Sequence, residues 1–282
     1  MSSPAPPVRP AVRITLAQVT ASDDRAANRT MVADAVRTAA HARSDLLVLP
    51  EYVSAFDPRG VGPRHAEPLD GPFVSLLRER AAATGVAIVA GTTLPGGAPG
   101  PDGRERAVNA LVAVDGTGEV AGVYRKVHLY DAFGQRESDR LAPGDPAAPP
   151  LVLDVAGVRV GAITCYDLRF PESTRRVVEA GAQVLLVPAA WAAGPLKEMH
   201  WRTLTVARAI ESTCAVVAVG MAGRGVVGRS LVVGPDGVVG LELDEAPGVR
   251  TVDIDVDALL AVRETNPVLA NRRYRVVPRE VR

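Results

Sequence analysis

Val158-Arg159-Val160-Gly161-Ala162-Ile163-Thr164-Cys165-Tyr166-Asp167-Leu168-Arg169-Phe170-Pro171-Glu172 passes from β-branched residues into a helix start with almost no loop between them. Val158 to Thr164 reads as a strand, and Pro171 with Glu172 reads as the first turn of a helix. Cys165 lies between the two. A strand that runs directly into a helix is the building unit of an α/β fold, and the ends of strands are where open α/β sheets gather reactive side chains.

The same alternation extends in both directions. Upstream, Val12 to Val19 reads as a strand, and Asp24 to Ala42 as a helix with Ala27, Met31, Ala35 and Ala39 at helical spacing and Asp23 or Asp24 as its N-cap. Leu46 to Leu49 is a buried strand, Gly71 to Ala83 a helix and Val86 to Gly91 a strand. Ala107 to Val114 and Val120 to Tyr124 flank the turn Asp115-Gly116-Thr117-Gly118. Downstream come the strand Val184 to Val187, the helix Lys197 to Ser212 and the strand Cys214 to Val219. A second hairpin joins Ser230 to Val233 with Val238 to Leu243, and a strand (Arg250 to Asp255) and a short helix (Val256 to Val262) follow. The hairpins imply mixed rather than purely parallel sheets. No repeat or linker divides the chain, so residues 11–282 are expected to form one domain. The Ser- and Pro-rich stretch 1–10 is expected to be a disordered tail.

Composition narrows the function. The chain has 282 residues, 47% of them hydrophobic, and a formal net charge of zero, which favours neither nucleic acid nor an anionic membrane as partner. No apolar run is long enough to span a bilayer, and residues 1–10 lack the apolar segment of a signal peptide. Cys165 and Cys214 are the only cysteines, which argues against a disulfide framework and for a reducing, cytoplasmic setting. Four scattered histidines and two cysteines give no metal-ligand spacing. Lys126 and Lys197 are the only lysines in a chain that otherwise uses arginine, so each is a candidate for a place where a compact ammonium is needed. The basic stretch Asn271 to Arg275 reads as a solvated tail or subunit contact, with an anion site as the alternative. Gly223-Arg224-Gly225-Val226-Val227-Gly228 fits GxGxxG but leads into a strand, so the context for pyrophosphate binding is absent.

Three ionisable residues follow predicted strands at once: Glu51 after Leu46-Leu47-Val48-Leu49-Pro50, Lys126 after Val123-Tyr124-Arg125, and Cys165. Cys165 reads either as a nucleophile, its thiolate favoured by the following helix N-terminus, or as a small buried hydrophobe. Glu51 can take the thiol proton and Lys126 can stabilise a tetrahedral oxyanion. Cys214, beside Ala215-Val216-Val217-Ala218-Val219, reads as core, and His128 as a structural hydrogen bonder. Arg169 and Glu172 are spaced for an ion pair that would brace the turn, with a substrate-carboxylate contact through Arg169 as the alternative.

Leu49-Pro50-Glu51, Tyr124-Arg125-Lys126-Val127-His128-Leu129 and Cys165-Tyr166-Asp167-Leu168-Arg169-Phe170-Pro171-Glu172 resemble, in order, the three signature blocks of the nitrilase (carbon-nitrogen hydrolase) superfamily. Gly91-Thr92, Pro143-Gly144-Asp145, Ala207-Arg208-Ala209-Ile210-Glu211 and Gly228-Arg229-Ser230 fit the same pattern, and the likeness runs from about Arg13 to Tyr274. The resemblance implies a four-layer αββα sandwich with Glu51, Lys126 and Cys165 at one end of the sheets. It also implies a fourth acidic residue, matched by Glu137, that orients Lys126; an exposed loop glutamate is the alternative.

The implied reaction is amide hydrolysis through a Cys165 thioester without a cofactor, with the Tyr166 N–H joining Lys126 at the oxyanion. Trp191 would line the pocket. The cysteine block looks most like the Nit-type amidases, which act on small ω-amides of dicarboxylates; N-carbamoyl or nitrile hydrolysis, or a non-catalytic subunit, are the alternatives. Arg229 stands where those amidases often carry His and is a second candidate for an anion contact. A homodimer or larger even assembly, paired through the helices after the cysteine block, is also implied.

Overall fold

A computed structural model describes residues 11–279. The expectation for residues 1–10 lies outside that range. The apolar runs form two six-stranded sheets. In the first, the strand order is β12 (Gly248–Asp255), β1 (Ala11–Gln18), β2 (Leu46–Val48), β3 (Ala87–Gly97), β4 (Arg106–Val114), β5 (Val120–Arg125). In the second it is β11 (Val239–Glu242), β10 (Leu231–Val233), β9 (Ala215–Gly220), β8 (Val184–Ala189), β7 (Val158–Ala162), β6 (Leu151–Val155). Three neighbouring strands run parallel at the centre of each sheet, and the remaining pairings are antiparallel.

The side-chain period of a strand sets the layers. Leu46 and Val48 on β2 join Val160, Val184, Leu186 and Val217 in a core between the sheets. Leu47 and Leu49 point the other way, onto Val32, Val36 and Ala39 of α1 (Arg25–His41) and Leu77 and Ala81 of α2 (Pro72–Thr84). In the second sheet, Leu185 and Val187 turn outward onto Val177 and Val178 of α3 (Pro171–Glu179) and Trp201 and Ala209 of α4 (Lys197–Ser212). Three packed interfaces between helix, sheet, sheet and helix make the αββα sandwich. β2 and β8 are buried on both faces, which is why they read as continuous apolar runs. Helix α5 (Val256–Thr265) packs Val256 and Leu259 into the inter-sheet core. No helix among the described residues is long and apolar enough to cross a membrane.

Most predicted elements appear within a few residues of their expected ends. Asp24 is the N-cap of α1, accepting from the backbone amides of Ala26 (2.9 Å) and Ala27 (3.0 Å). Strand β6 was not anticipated. It pairs with β7 through the two-residue turn Ala156-Gly157, where both residues have positive φ (51° and 80°). That geometry is normally signalled by Asn-Gly or Asp-Gly, and the alanine hides it.

Backbone crowding fixes the end of β2. A Cβ at Gly91 would lie 2.4 Å from the Cα of Glu51 and 2.6 Å from both the Pro50 carbonyl oxygen and the Tyr52 nitrogen. Only glycine lets β3 pass this close to the segment that carries Glu51. Gly91→Ala is therefore expected to destabilise the fold by about 1–3 kcal/mol and to displace Glu51, seen as an earlier denaturation midpoint. A variant with wild-type stability would show that the segment yields freely.

Candidate active site

The first-sheet strands β2 and β5 and the second-sheet strands β7 and β8 deliver their following residues to one end of the sandwich. Glu51, Lys126, Cys165 and Trp191 all line a cavity of about 230 Å³ there, with Tyr52, Tyr130, Glu137, Tyr166, Arg169 and Lys197. Glu51 and Lys126 are each about 1% exposed and Cys165 7%.

The core of the site is an ammonium between two carboxylates. Lys126 Nζ donates to Glu51 Oε1 (3.0 Å) and to Glu137 Oε1 (3.0 Å) and Oε2 (2.9 Å). Its backbone is fixed too, since the Lys126 amide donates to the Asn109 carbonyl and the Gly144 amide donates to the Lys126 carbonyl. Glu51 also accepts from Asn109 Nδ2 (2.6 Å) and from the Ala190 backbone N–H (2.8 Å), so both sheets hold it. Glu137, in a short 3₁₀ turn (Glu137–Asp139), accepts from the Tyr52 hydroxyl and the Tyr130 amide (2.6 Å). The exposed-loop reading of Glu137 is thereby corrected, because this carboxylate is buried against Lys126.

These partners set the protonation states. Burial opposes the Lys126 charge, but Glu137 and Glu51 outweigh it and hold the ammonium well above the usual lysine range. Burial would raise Glu137, but the Lys126 charge, the Tyr52 hydroxyl and the Tyr130 amide together hold it below the usual carboxylate range. Burial, and next to it the negative Glu51, push the Cys165 thiol well above its ordinary value; Lys126 pulls the other way and loses. Burial and Glu51 thus disfavour a thiolate here, and the helix N-terminus expected to favour one is not at hand. The helix that would supply that partial charge, α3, begins only at Pro171, whereas Cys165 opens a 3₁₀ turn (Cys165–Arg169) with φ +48°. Cys214 is fully buried and pushed up to about 12 by burial, as a core residue should be.

Asp167, two residues past the cysteine, locks that turn. Its carboxylate accepts from the amides of Thr164 (3.3 Å) and His128 (3.0 Å) and from the Tyr124 hydroxyl (2.7 Å), with His128 Nδ1 at 2.8 Å. His128 also stacks on Phe170 at 3.7 Å, the structural role expected of it. Asp167 ties the lysine block to the cysteine block.

Two expectations for arginines are corrected. Arg169 makes no ion pair with Glu172. Its guanidinium instead turns to the cavity, 4.9 Å from the Trp191 ring centre, with one amino group 3.3 Å from His200 Nδ1, while Glu172 is exposed. Arg229 does not line the cavity; it pairs with Glu198 (3.3 Å) and Glu245 (3.3 Å). In the basic stretch expected to be a solvated tail or subunit contact, Arg272 instead pairs with Glu179 of α3 in the same chain. The residues that sequence reading overlooked had faint signals. Asn109 is the polar member of the apolar strand Ala107 to Val114, and Tyr52 and Asp167 sit beside predicted site residues.

The geometry has counterparts among known proteins. The family model for carbon-nitrogen hydrolases matches residues 13–264. A deaminated glutathione amidase from Escherichia coli O157:H7 is 38% identical over 88% of this chain and 92% of its own length. A CN-hydrolase superfamily protein from Xanthomonas campestris, crystallised with an arsenic adduct in its active site, superimposes with a TM-score of 0.81 at 31% identity, covering 95% of this chain and 99% of that one. A mutant amidase from Nesterenkonia sp. AN1, which carries the product of Michael addition of acrylamide at its active-site cysteine, gives a TM-score of 0.74 at 33% identity over 90% and 97% of the two chains. A sandwich of this topology, matched over nearly its whole length in sequence and in structure, places the chain in the carbon-nitrogen hydrolase family.

Proposed function

We propose that this protein is a cysteine amidase for small ω-amides. The observation that carries the reading is the convergence of Cys165 with the Glu51–Lys126–Glu137 cluster on one buried cavity. Glu51 accepts the Cys165 proton as sulfur attacks the amide carbon. A neutral thiol beside a fixed carboxylate suits transfer during attack rather than before it. Lys126, kept charged by its two carboxylates, and the Tyr166 N–H receive the negative oxygen. Protonated Glu51 returns its proton to the leaving ammonia or amine, then activates the water that cleaves the thioester. Glu137 touches no reacting atom and serves as a positioning residue for Lys126. Trp191 and Tyr166 wall the acyl side.

Substrate choice rests on Arg169. It faces the cavity without a carboxylate partner among the described residues, and its Nε is buried with no hydrogen-bond partner. A carboxylate at the far end of the substrate would satisfy it. Such a charge-assisted contact is worth about 1.5–3 kcal/mol, or roughly ten- to hundredfold in specificity. We further propose a homodimer or larger even assembly. Met199 and Ile210 on α4 and Leu196 just before it are large apolar side chains left exposed, which supports pairing through that helix. The two free cysteines support a reducing, cytoplasmic setting.

Ammonia release should be measured across ω-amides, neutral amides, nitriles and N-carbamoyl amino acids. Succinamate or 2-oxoglutaramate is expected to exceed butyramide in kcat/KM by roughly ten- to hundredfold. Greater turnover of nitriles or carbamoyl compounds would transfer the site to that chemistry. Cys165→Ala should abolish turnover with the fold intact, whereas Cys214→Ala should cost stability alone. Lys126→Arg should be nearly as damaging as Lys126→Ala, because a planar guanidinium does not fit between Glu51 and Glu137; Lys126→Ala should also cost about 3–5 kcal/mol by leaving two carboxylates unpaired.

Thiol modification by methyl methanethiosulfonate should occur at Cys165 and spare Cys214 in the native protein. Because the Cys165 thiol is raised, its rate should keep climbing with pH beyond the range, near about 8.5, where a free cysteine levels off. A plateau at neutral pH would mean a resting thiolate. Sedimentation should show a dimer or larger at micromolar concentration; monomer alone would overturn the assembly.

A further inference from the structure

Both lysines of this chain lie in the same cavity, and the chemistry above uses only Lys126. Lys197 is 5% exposed. Its ammonium donates to the Tyr130 hydroxyl (2.6 Å) and sits 3.4 Å from the centre of the Phe133 ring. Among the described residues it has no carboxylate partner.

Three features make this a costly place for an ammonium. It is buried. It is the first residue of α4, a helix of 16 residues, where the helix dipole repels positive charge. It also shares the Phe133 ring with Arg169, whose guanidinium carbon is 5.6 Å from that ring's centre. Burial first, then Arg169, push the Lys197 ammonium below its usual range. The backbone bends to put it there: Gly194 has φ +147° and Leu196, a non-glycine residue, has φ +62°. A surface lysine would meet none of these costs. They all reverse if an anion enters, because two unpaired cations and a helix N-terminus then act together on it. Glu51 and Glu137 reach Lys126 but neither pairs with Lys197, so a partner for Lys197 must come from outside the described residues.

We infer that Lys197 is a specificity-determining residue which, with Arg169, clamps a carboxylate carried by the acyl part of the substrate. This rests on the amidase reading for the word substrate, but the anion subsite stands on its own geometry. A guanidinium is a planar fork that can meet both carboxylate oxygens, and the Lys197 ammonium, near the same Phe133 ring, adds a point charge. The anion held there leaves the amide end of the molecule toward Cys165.

The test separates binding from turnover. Glutarate, which has no amide to hydrolyse, is titrated calorimetrically into the wild-type protein, Lys197→Met and Lys197→Gln. In parallel, the kcat/KM ratio of succinamate to butyramide is measured for each. The wild type is expected to bind glutarate, and both variants to bind it about ten- to hundredfold more weakly, with the anionic-to-neutral ratio falling by a similar factor. A purely structural lysine would instead lower both amides in proportion and leave the ratio unchanged, which overturns the proposal. So does a wild type that fails to bind millimolar glutarate, whatever the variants do. If no amide is hydrolysed but glutarate binding is still lost in the variants, the anion subsite stands and the amidase reading fails.

Discussion

The Lys126 ammonium held between Glu51 and Glu137 is the interaction on which the site depends. A lone charge buried at the end of a strand would be expelled or neutralised. Here each of the three groups makes the burial of the others tolerable. Two carboxylates rather than one hold the lysine charged, and the Tyr52 hydroxyl and Tyr130 amide help keep Glu137 ionised.

Burial and the neighbouring Glu51 also disfavour the Cys165 thiolate, and alkylation or oxidation, which follow thiolate content, are restrained accordingly. Another part of the cavity lining has the opposite sign. Arg169 and Lys197 stand there unpaired, and the tyrosine, phenylalanine and tryptophan rings around them offer faces rather than counter-ions. The cavity wall thus carries both an acid-base cluster and a cationic pair, and the two are separate groups of side chains.

The scaffold makes such charges affordable by sharing their support between two sheets. Glu51 follows β2 of one sheet and accepts from Ala190 after β8 of the other. Asp167, after β7, accepts from Tyr124 on β5 and from His128 just past it. The inter-sheet core of Val, Leu and Ile side chains fixes the separation of the sheets, and these polar cross-links then fall within hydrogen-bond distance at the sandwich end. Close packing is as important as the bonds: the absent side chain of Gly91 is what lets the Glu51 segment lie against β3.

The local rules of strand alternation, helix capping and turn chemistry were enough to read most elements, because they act between near neighbours in sequence. They also placed Glu51, Lys126 and Cys165 at strand ends, and the ordered blocks around them carried the resemblance to the family and to Glu137. Ala156-Gly157 escaped because positive φ at an alanine has no sequence mark. Charge pairing escaped for a different reason. Helical spacing allowed Arg169 to meet Glu172, and a strand-to-helix turn allowed a thiolate, but partners from distant parts of the chain compete for each group. Arg169 turned to the aromatic cavity wall, Arg229 was taken by Glu198 and Glu245, and burial, then Glu51, raised the Cys165 thiol. The sequence by itself determined which chemical groups were present and on which elements. Only the tertiary structure decided which of them share a dry cavity, because burial and electrostatic partnership depend on distances across the sandwich that no local pattern encodes.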